Sequence, residues 1–214
     1  SLVPAEDYLK VIDKCLPFCI QLDIDILRVD SISPPEILDE TEYKVRFKRL
    51  ANTWREAAQR CQNAGVKMVW EFEPGFWLNS PGEIKAILDE INHPNFKVLF
   101  DTSHAYICAV VGARQTRAKK ETLEGGVIEL AENLRDHIGH FHLIDSDGTL
   151  HNEETSTHTP FGAGNINFVE VIKAVKEKVE PLEWWCFDFC FCPTTEKDAQ
   201  KAIPFVENVI NQIP

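Results

Sequence analysis

The stretch VWEFEPGFWLN, residues 69–79, begins as a buried β-strand and carries two carboxylates where that strand ends. Residues two apart on a strand point to the same face, so Glu71 and Glu73 are predicted to project together. The Pro74 and Gly75 that follow are typical of a turn. A buried strand that stops after two acidic side chains indicates that the strand delivers a carboxylate to a site at its end.

Strand-like and helix-like segments alternate along the whole chain. Short apolar segments predict strands over residues 25–30, 66–73, 96–101, 138–145 and 184–189. Apolar residues at helical spacing predict helices over residues 4–23, 41–64, 80–91, 121–135, 167–179 and 196–212. This order predicts a parallel sheet with helices outside it. No linker or change of composition divides the chain, so residues 1–214 are predicted to form a single α/β domain.

The composition limits the partners of the protein. Its 34 acidic residues exceed its 22 basic residues and give a net charge of −12. Binding to the backbone of DNA or RNA needs a basic surface, so this charge disfavours a nucleic-acid partner. The sequence has no apolar run long enough to span a membrane and no recognisable signal peptide at its start, which predicts a cytoplasmic protein with no membrane partner. The sequence leaves an oligomer open.

The seven cysteines predict a reduced protein. Their number is odd, most lie in apolar segments, and they lack the paired spacing of a zinc knuckle. They are therefore interpreted as small buried hydrophobic residues. A soft metal ligand from Cys190 or Cys192 is the weaker alternative.

Polar side chains stand at the end of every predicted strand, where a buried strand would normally avoid them. They are Arg28, Asp30, Glu71, Glu73, Asp101, His140, His142 and Asp188. In parallel α/β folds the chemistry gathers at these carboxyl ends. Four of the strands supply a Glu, an Asp, a His and an Asp. Carboxylates favour Mg²⁺ or Mn²⁺, and an imidazole shifts the preference towards Mn²⁺, Co²⁺ or Zn²⁺, so the sequence predicts one divalent ion, with Mn²⁺ favoured.

The motifs at these strand ends resemble those of the xylose isomerase-like barrel family. The motifs are WEFEPG (70–75), FDTSHA (100–105), GHFHLIDSDG (139–148) and PFGAGNINF (160–168). The family includes sugar-phosphate isomerases, ketose 3-epimerases, inosose and dehydroshikimate dehydratases, and repair endonucleases. The resemblance implies an eight-stranded TIM (β/α)8 barrel, which at this strand spacing needs about 320 residues. The chain holds five such units, so it is expected to cover strands four to eight with the first three βα units missing.

The resemblance also implies a set of metal ligands. Carried over to this sequence, they are Glu73, Asp101, His142 and Asp188. Glu71 in place of Glu73 remains an alternative, because the two side chains share a face. Asp188 stands where the family usually has Glu, and this shorter side chain reaches less far as a base. Side chains expected to support the ligands by hydrogen bonding are Glu71, His140 and Asp145.

Other residues are expected to handle the substrate. The resemblance implies that His104 contacts substrate oxygens beside the metal and acts in catalysis together with Glu73 and Asp188. The long polar segment 146–164 is typical of an active-site lid and offers His158 for substrate contact. Arg114 is a candidate to bind an anionic substrate group.

Together these features favour a divalent-metal-dependent isomerase or epimerase for a sugar, sugar phosphate or polyol, working through an enediolate. Loss of a β-hydroxyl from the same intermediate would make the protein a lyase or dehydratase instead, and the sequence does not choose between the two. A DNA-repair endonuclease is disfavoured by the net charge. A third class of function is a barrel without catalytic activity, or one too incomplete to be active.

Overall fold

The computed structural model of the protein describes residues 4–31, 39–115, 120–192 and 194–213. Its strands are β1 (Ile26–Val29), β2 (Lys67–Glu71), β3 (Phe96–Asp101), β4 (Ile138–Leu143), β5 (Leu150–His151), β6 (Thr155–Ser156) and β7 (Trp185–Phe187). Five of them form one parallel sheet in the order β1-β2-β3-β4-β7, while β5 and β6 form a small antiparallel hairpin. All five predicted strands are therefore confirmed. The second one ends at Glu71, earlier than predicted, so Glu73 lies beyond the strand.

The helices lie between the strands, as the sequence predicts. They are α1 (Ala5–Gln21), α2 (Glu40–Asn63), α3 (Pro81–Ile91), α4 (Thr102–Tyr106), α5 (Gly126–Leu134), α6 (Phe168–Val179) and α7 (Thr195–Ile210). The helix predicted over residues 121–135 begins only at Gly126, which has a φ of 57°. The short α4 is an addition to the prediction. It continues into a π-helical turn, Ile107–Val111.

Local signals set the ends of these helices. Ser80 caps α3 by accepting a hydrogen bond from the backbone N–H of Glu83, and Pro81 occupies the first turn, where its missing N–H costs nothing. Asp39 caps α2 by accepting from the N–H groups of Thr41 and Glu42. The helix boundaries therefore follow from side chains close in sequence.

Alternation along the strands separates the core from the site. Trp70 of β2 is fully buried and packs against Trp54 of α2, with ring centroids 5.4 Å apart. Because neighbouring residues on a strand face opposite ways, Glu71 projects to the side of the sheet away from α2. The same alternation places Phe100 and Phe141 in the apolar core, and their neighbours on the opposite face.

Five parallel strands in chain order, joined through helices, correspond to part of a TIM barrel. Within the described residues, β1 pairs only with β2, and β7 pairs only with β4. This arrangement confirms the predicted TIM-barrel-like fold with an open five-stranded sheet. In the same part of the chain, none of the helices has the length and apolar character needed to cross a membrane.

Candidate metal and substrate site

Four side chains from four neighbouring strands meet at the carboxyl end of the sheet. Glu71 ends β2, Asp101 ends β3, His142 lies on β4, and Asp188 directly follows β7. One potential ligand atom from each lies within 4.8 Å of the others. Asp101 and His142 are register partners, so the parallel pairing itself places their side chains on one face.

The spacing of these atoms fits a shared divalent cation. His142 Nδ1 lies 3.2 Å from Glu71 Oε1, 3.4 Å from Asp188 Oδ2 and 4.0 Å from Asp101 Oδ2. Ligands bound about 2.1 Å from one ion are separated by about 3.0 Å when adjacent in an octahedron and by about 4.2 Å when opposite. All three observed distances fall between these limits.

Several of these atoms are buried without a hydrogen-bond partner in the described structure. They are Glu71 Oε1, Asp101 Oδ2 and His142 Nδ1. The close approaches to His142 are ion-pair distances without hydrogen-bond geometry. Buried polar atoms normally have a partner, so three orphaned atoms this close together fit a site whose bound group would complete them. Three carboxylates and one imidazole are the donor set of a divalent cation.

The strand-end side chains shift one another's pKa values. Burial lowers the pKa of His142, but its contacts with Asp188 and Glu71 outweigh burial and raise that pKa to about 10. Burial raises the pKa of Asp101. Burial also acts to raise the pKa of Asp188, but His142 and His158 outweigh it and hold the pKa well below its usual range. The carboxylates therefore recruit a proton onto His142, and a metal ion would have to displace that proton.

Glu71 and Glu73 occupy different positions. Glu71 belongs to the four-residue group, whereas Glu73 forms another group with Glu71 and His104. Glu73 Oε2 accepts a hydrogen bond of 2.9 Å from Thr155 Oγ1 and lies 3.8 Å from His104 Nε2. The arrangement thus brings Glu71, the alternative left open by the sequence, together with Asp101, His142 and Asp188. Glu73, the ligand first predicted, lies beside them.

Arg28, predicted from the sequence only as a polar residue at a strand end, belongs to the candidate site. Its guanidinium Nη1 lies 2.6 Å from Glu71 Oε2, Nη2 lies 3.0 Å from Glu73 Oε1, and Nε lies 3.0 Å from Asp30 Oδ1. One arginine therefore holds three carboxylates and orients the two glutamates. The signal in the sequence that could have revealed this role was a basic side chain near the end of β1, on the same face as the acidic strand ends.

Replacement of Arg28 by Met is expected to destabilise the metal-free protein more than the metal-loaded protein. The variant leaves Glu71 without its nearest cation, and a bound divalent ion supplies positive charge to the same carboxylate. Since the Arg28 side chain is 41% exposed, we expect a loss of only about 1 kcal/mol, or about 2–4 °C in the melting temperature. Thermal unfolding with and without Mn²⁺ measures this difference. Arg114→Met is the matched control, and equal metal-induced shifts in both variants would contradict the role of Arg28.

Two histidines predicted to contact substrate line the same cavity as Glu71 and Glu73. His104, in α4, is held by a 2.6 Å contact between its Nδ1 and Ser156 Oγ of β6. Its ring packs against that of His158, with centroids 5.2 Å apart. His158 Nδ1 lies 3.4 Å from Asp188 Oδ1. The hairpin segment thus brings His158 over the group at the strand ends.

Arg114 lies farther out. It lines an outer cleft together with Glu73, Phe76, His151 and Phe191. Its Nη1 donates a 2.9 Å hydrogen bond to the carbonyl of Glu153 in the hairpin turn. The predicted contact of Arg114 with an anionic group would therefore involve a part of the ligand at the cleft mouth.

Asp145 contacts the loop and not a ligand histidine. Its Oδ1 accepts from the N–H groups of Ser146 and Ile166, and its Oδ2 accepts from those of Gly162 and Gly164. The support of a ligating imidazole expected of Asp145 does not match these contacts. Gly164 packs so closely against this carboxylate that a Cβ would collide with it. Asp145 therefore ties down the ends of the 146–166 loop.

Asp145→Ala is expected to destabilise the fold by about 3 kcal/mol or more, because it removes the buried ionic acceptor of four backbone N–H groups. Binding of a divalent cation at the candidate site should be unchanged, since the four strand-end side chains are untouched. Urea unfolding and metal analysis measure the two effects. The control is Asp147→Ala, whose exposed carboxylate caps only a local turn at Thr149. A comparable loss of stability in both variants would argue against the loop-tying role.

The remaining predicted support, His140, lies next to His142 on the site face of β4. The two rings form an edge contact with centroids 5.2 Å apart. His140 Nε2 lies 3.4 Å from Cys186 Sγ. His140 therefore meets a thiol and an imidazole, where a carboxylate partner would have been typical of a supporting residue.

The cysteines are free, as predicted, but not uniformly buried. Those buried are Cys19, Cys61, Cys108 and Cys192. Cys15 and Cys186 are half-buried, and Cys190 is exposed. Cys190 lines the site cavity beside Asp188.

A parallel sheet that gathers acidic and imidazole side chains at the carboxyl ends of its strands defines an α/β-barrel protein with a strand-end site. The chain belongs to the xylose isomerase-like TIM barrel family, whose family model matches residues 4–208. One curated relative, an uncharacterized protein of Methanocaldococcus jannaschii, is 25% identical over 161 residues. That match covers 73% of this chain and 48% of the relative. The chain therefore spans about half the length of this relative.

Solved structures share the fold. A D-tagatose 3-epimerase-like protein matches with a TM-score of 0.70 and 21% identity, covering 95% of this chain and 70% of that one. The probable 3-DHS dehydratase AsbF of Bacillus anthracis matches with a TM-score of 0.68 and 13% identity, covering 94% and 72%. A xylose isomerase-like TIM barrel protein of Mycobacterium smegmatis, in complex with magnesium, matches with a TM-score of 0.68 and 12% identity, covering 98% and 69%.

Proposed function

We propose that the protein is a divalent-metal-dependent enzyme that removes a proton next to the carbonyl of a sugar, sugar phosphate or polyol derivative. The observation that carries this proposal is one arrangement: Glu71, Asp101, His142 and Asp188 converge on a point, and Glu73 and His104 line the cavity beside it. The proposed base, Glu73, and the proposed substrate contact, His104, therefore stand next to the group that would hold the ion.

The residues that would hold the ion are Glu71, Asp101, His142 and Asp188. When bound, a divalent ion polarises a carbonyl oxygen and stabilises negative charge that develops on it. Three carboxylates and one imidazole favour Mn²⁺, with Mg²⁺, Co²⁺ and Zn²⁺ as alternatives. The magnesium complex of the Mycobacterium smegmatis relative supports a divalent ion in a barrel of this fold.

Glu73 is the proposed base. Burial raises the pKa of its carboxyl group, and a raised pKa brings a carboxylate closer to the range suited to proton transfer at neutral pH. Thr155 and Arg28 each hold one of its oxygens, so the carboxylate is fixed in place. His104 orients the substrate oxygen, and its position is set by Ser156. Glu73 takes the proton from the carbon next to the carbonyl and leaves an enediolate.

Return of a proton to the other face or to the neighbouring carbon makes the protein an epimerase or isomerase. The D-tagatose 3-epimerase-like neighbour is consistent with this outcome. Loss of a β-hydroxyl from the same enediolate makes it a lyase. The lyase is kept as a second candidate because of the contacts of Asp188. Its oxygens face His142 and His158, and Oδ1 also accepts a hydrogen bond from the N–H of Cys190. A carboxylate engaged in this way is poorly placed to serve as a second base at the substrate carbon.

The test is hydrogen exchange in deuterated water with Mn²⁺ and the full-length natural protein. Ketoses, sugar phosphates, inososes and oxidised glycosides are screened by NMR for deuterium at the carbon next to the carbonyl. Exchange in at least one class that is lost in Glu73→Gln supports the proposal, and the product separates isomerisation from dehydration. A metal-loaded protein that exchanges none of these compounds would favour a barrel without catalytic activity.

A further inference from the structure

Another cluster of ligand-type side chains lies on the site face of the sheet, and two of its three members, His140 and Cys186, have no part in the proposed reaction. It consists of His140 and His142 of β4 and Cys186 of β7, and one potential ligand atom of each lies within 4.8 Å of the others. Cys186 is the register partner of His142, so the pairing of β4 with β7 holds the thiol beside the two imidazoles. His140 is two residues before His142, one step farther from the carboxyl end of the strand.

The distance between the thiol and the nearer imidazole suits a shared tetrahedral ion. Zinc binds cysteine sulfur at about 2.3 Å and histidine nitrogen at about 2.0–2.1 Å, which separates the two ligand atoms by about 3.6 Å at a tetrahedral angle. Cys186 Sγ and His140 Nε2 are 3.4 Å apart. These two side chains could therefore bind one ion with little movement.

We propose that His140 and Cys186 form a second, thiolate-bearing metal site, with His142 within reach of both sites. The chemistry of the donors separates the two. Thiolate and imidazole favour borderline-soft cations such as Zn²⁺, whereas the carboxylate-rich group favours harder ions such as Mn²⁺ or Mg²⁺. Binding releases the Cys186 thiol proton to solvent as the Sγ–metal bond forms. The site would add a zinc-selective centre to the carboxylate centre of the proposed function, and it does not depend on that function.

The test uses Co²⁺ as a spectroscopic substitute for Zn²⁺ in the full-length natural protein. A thiolate bound to cobalt gives a charge-transfer absorption band that carboxylate and imidazole ligands alone do not give. We expect this band in the unmodified protein and its loss in Cys186→Ser. In His140→Gln the cobalt affinity read from the band should fall at least about 10-fold, and excess Zn²⁺ should abolish the band. Cys15→Ser, the same substitution at another half-buried cysteine, should keep it.

Three outcomes would overturn the proposal. The band is absent in the unmodified protein, which would leave only a hydrogen bond between Cys186 and His140. The band survives in Cys186→Ser. The third such outcome is loss of the band in Cys190→Ser, which would assign the band to the exposed thiol beside Asp188. Circular dichroism confirms that each variant is folded. Mn²⁺ binding by Cys186→Ser reports separately on the carboxylate centre, so failure of this proposal and failure of the proposed function give different results.

Discussion

Under the proposed function, His142→Ala is expected to abolish metal binding and enzymatic activity together. His142 is the residue from which Glu71, Asp101 and Asp188 are all within 4.0 Å. Its removal therefore takes one ligand from the group and leaves three carboxylates facing one another, two of them buried and one half-buried. Loss of a group that merely supports a ligand typically lowers metal affinity 10- to 100-fold, so loss of the ligand itself should lower it by more than about 100-fold. Metal per protein by mass spectrometry and deuterium exchange into substrate measure the two effects.

His104→Ala is the matched control for this prediction. His104 is a buried histidine of the same cavity, but its Nε2 is 4.0 Å from Glu71 Oε1, and its Nδ1 is engaged with Ser156. This variant should keep its metal and lose turnover by about 100- to 1,000-fold, the range for removing one side chain that binds the substrate oxygen as charge develops on it. If both variants lost metal equally, the assignment of His104 as a substrate residue would fail.

Glu71→Gln and Glu73→Gln are expected to separate the roles of the two glutamates. Gln has nearly the shape of Glu but lacks its charge, so each variant tests the carboxylate with little change in packing. Glu71→Gln should lower metal affinity by more than about 100-fold, because Glu71 Oε1 is an orphaned buried oxygen 3.2 Å from His142 Nδ1. Glu73→Gln should keep the metal and lower turnover by about 100- to 10,000-fold, because Glu73 lies beside the group and faces His104.

The measurement is a metal titration of both variants, paired with deuterium exchange. Circular dichroism and the unfolding midpoint show whether Glu71→Gln, which also removes a charged partner of Arg28, remains folded. The reverse pattern, with metal lost in Glu73→Gln and kept in Glu71→Gln, would restore the ligand first predicted from sequence. That result would also remove Glu73 as the proposed base.

The sequence alone determined the order of the sheet and most of what stands at its ends. Strand and helix periods are local properties, and strands that alternate with helices pair in parallel in chain order, so the positions of Asp101 and His142 on neighbouring strands followed directly. The cap at Ser80 and the apolar face of α2 were also readable, because each depends on residues a few positions apart. The family model and the solved structures agree with this part of the prediction at the level of the fold.

Only the tertiary structure decided which of the strand-end side chains lie close enough together to form one site. Period-two alternation gives Glu71 and Glu73 the same direction, so sequence could not choose between them. In the structure Glu71 is the glutamate grouped with Asp101, His142 and Asp188. Strand β2 ends at Glu71, and Thr155 of the hairpin holds Glu73 to one side. The role of Arg28 depends on contacts with glutamates at least 43 positions away in the sequence. The role of Asp145 depends on the folded loop that brings Gly164 back to it. Such partners are fixed by how strands and loops pack in three dimensions, and no local period or spacing in the sequence records that packing.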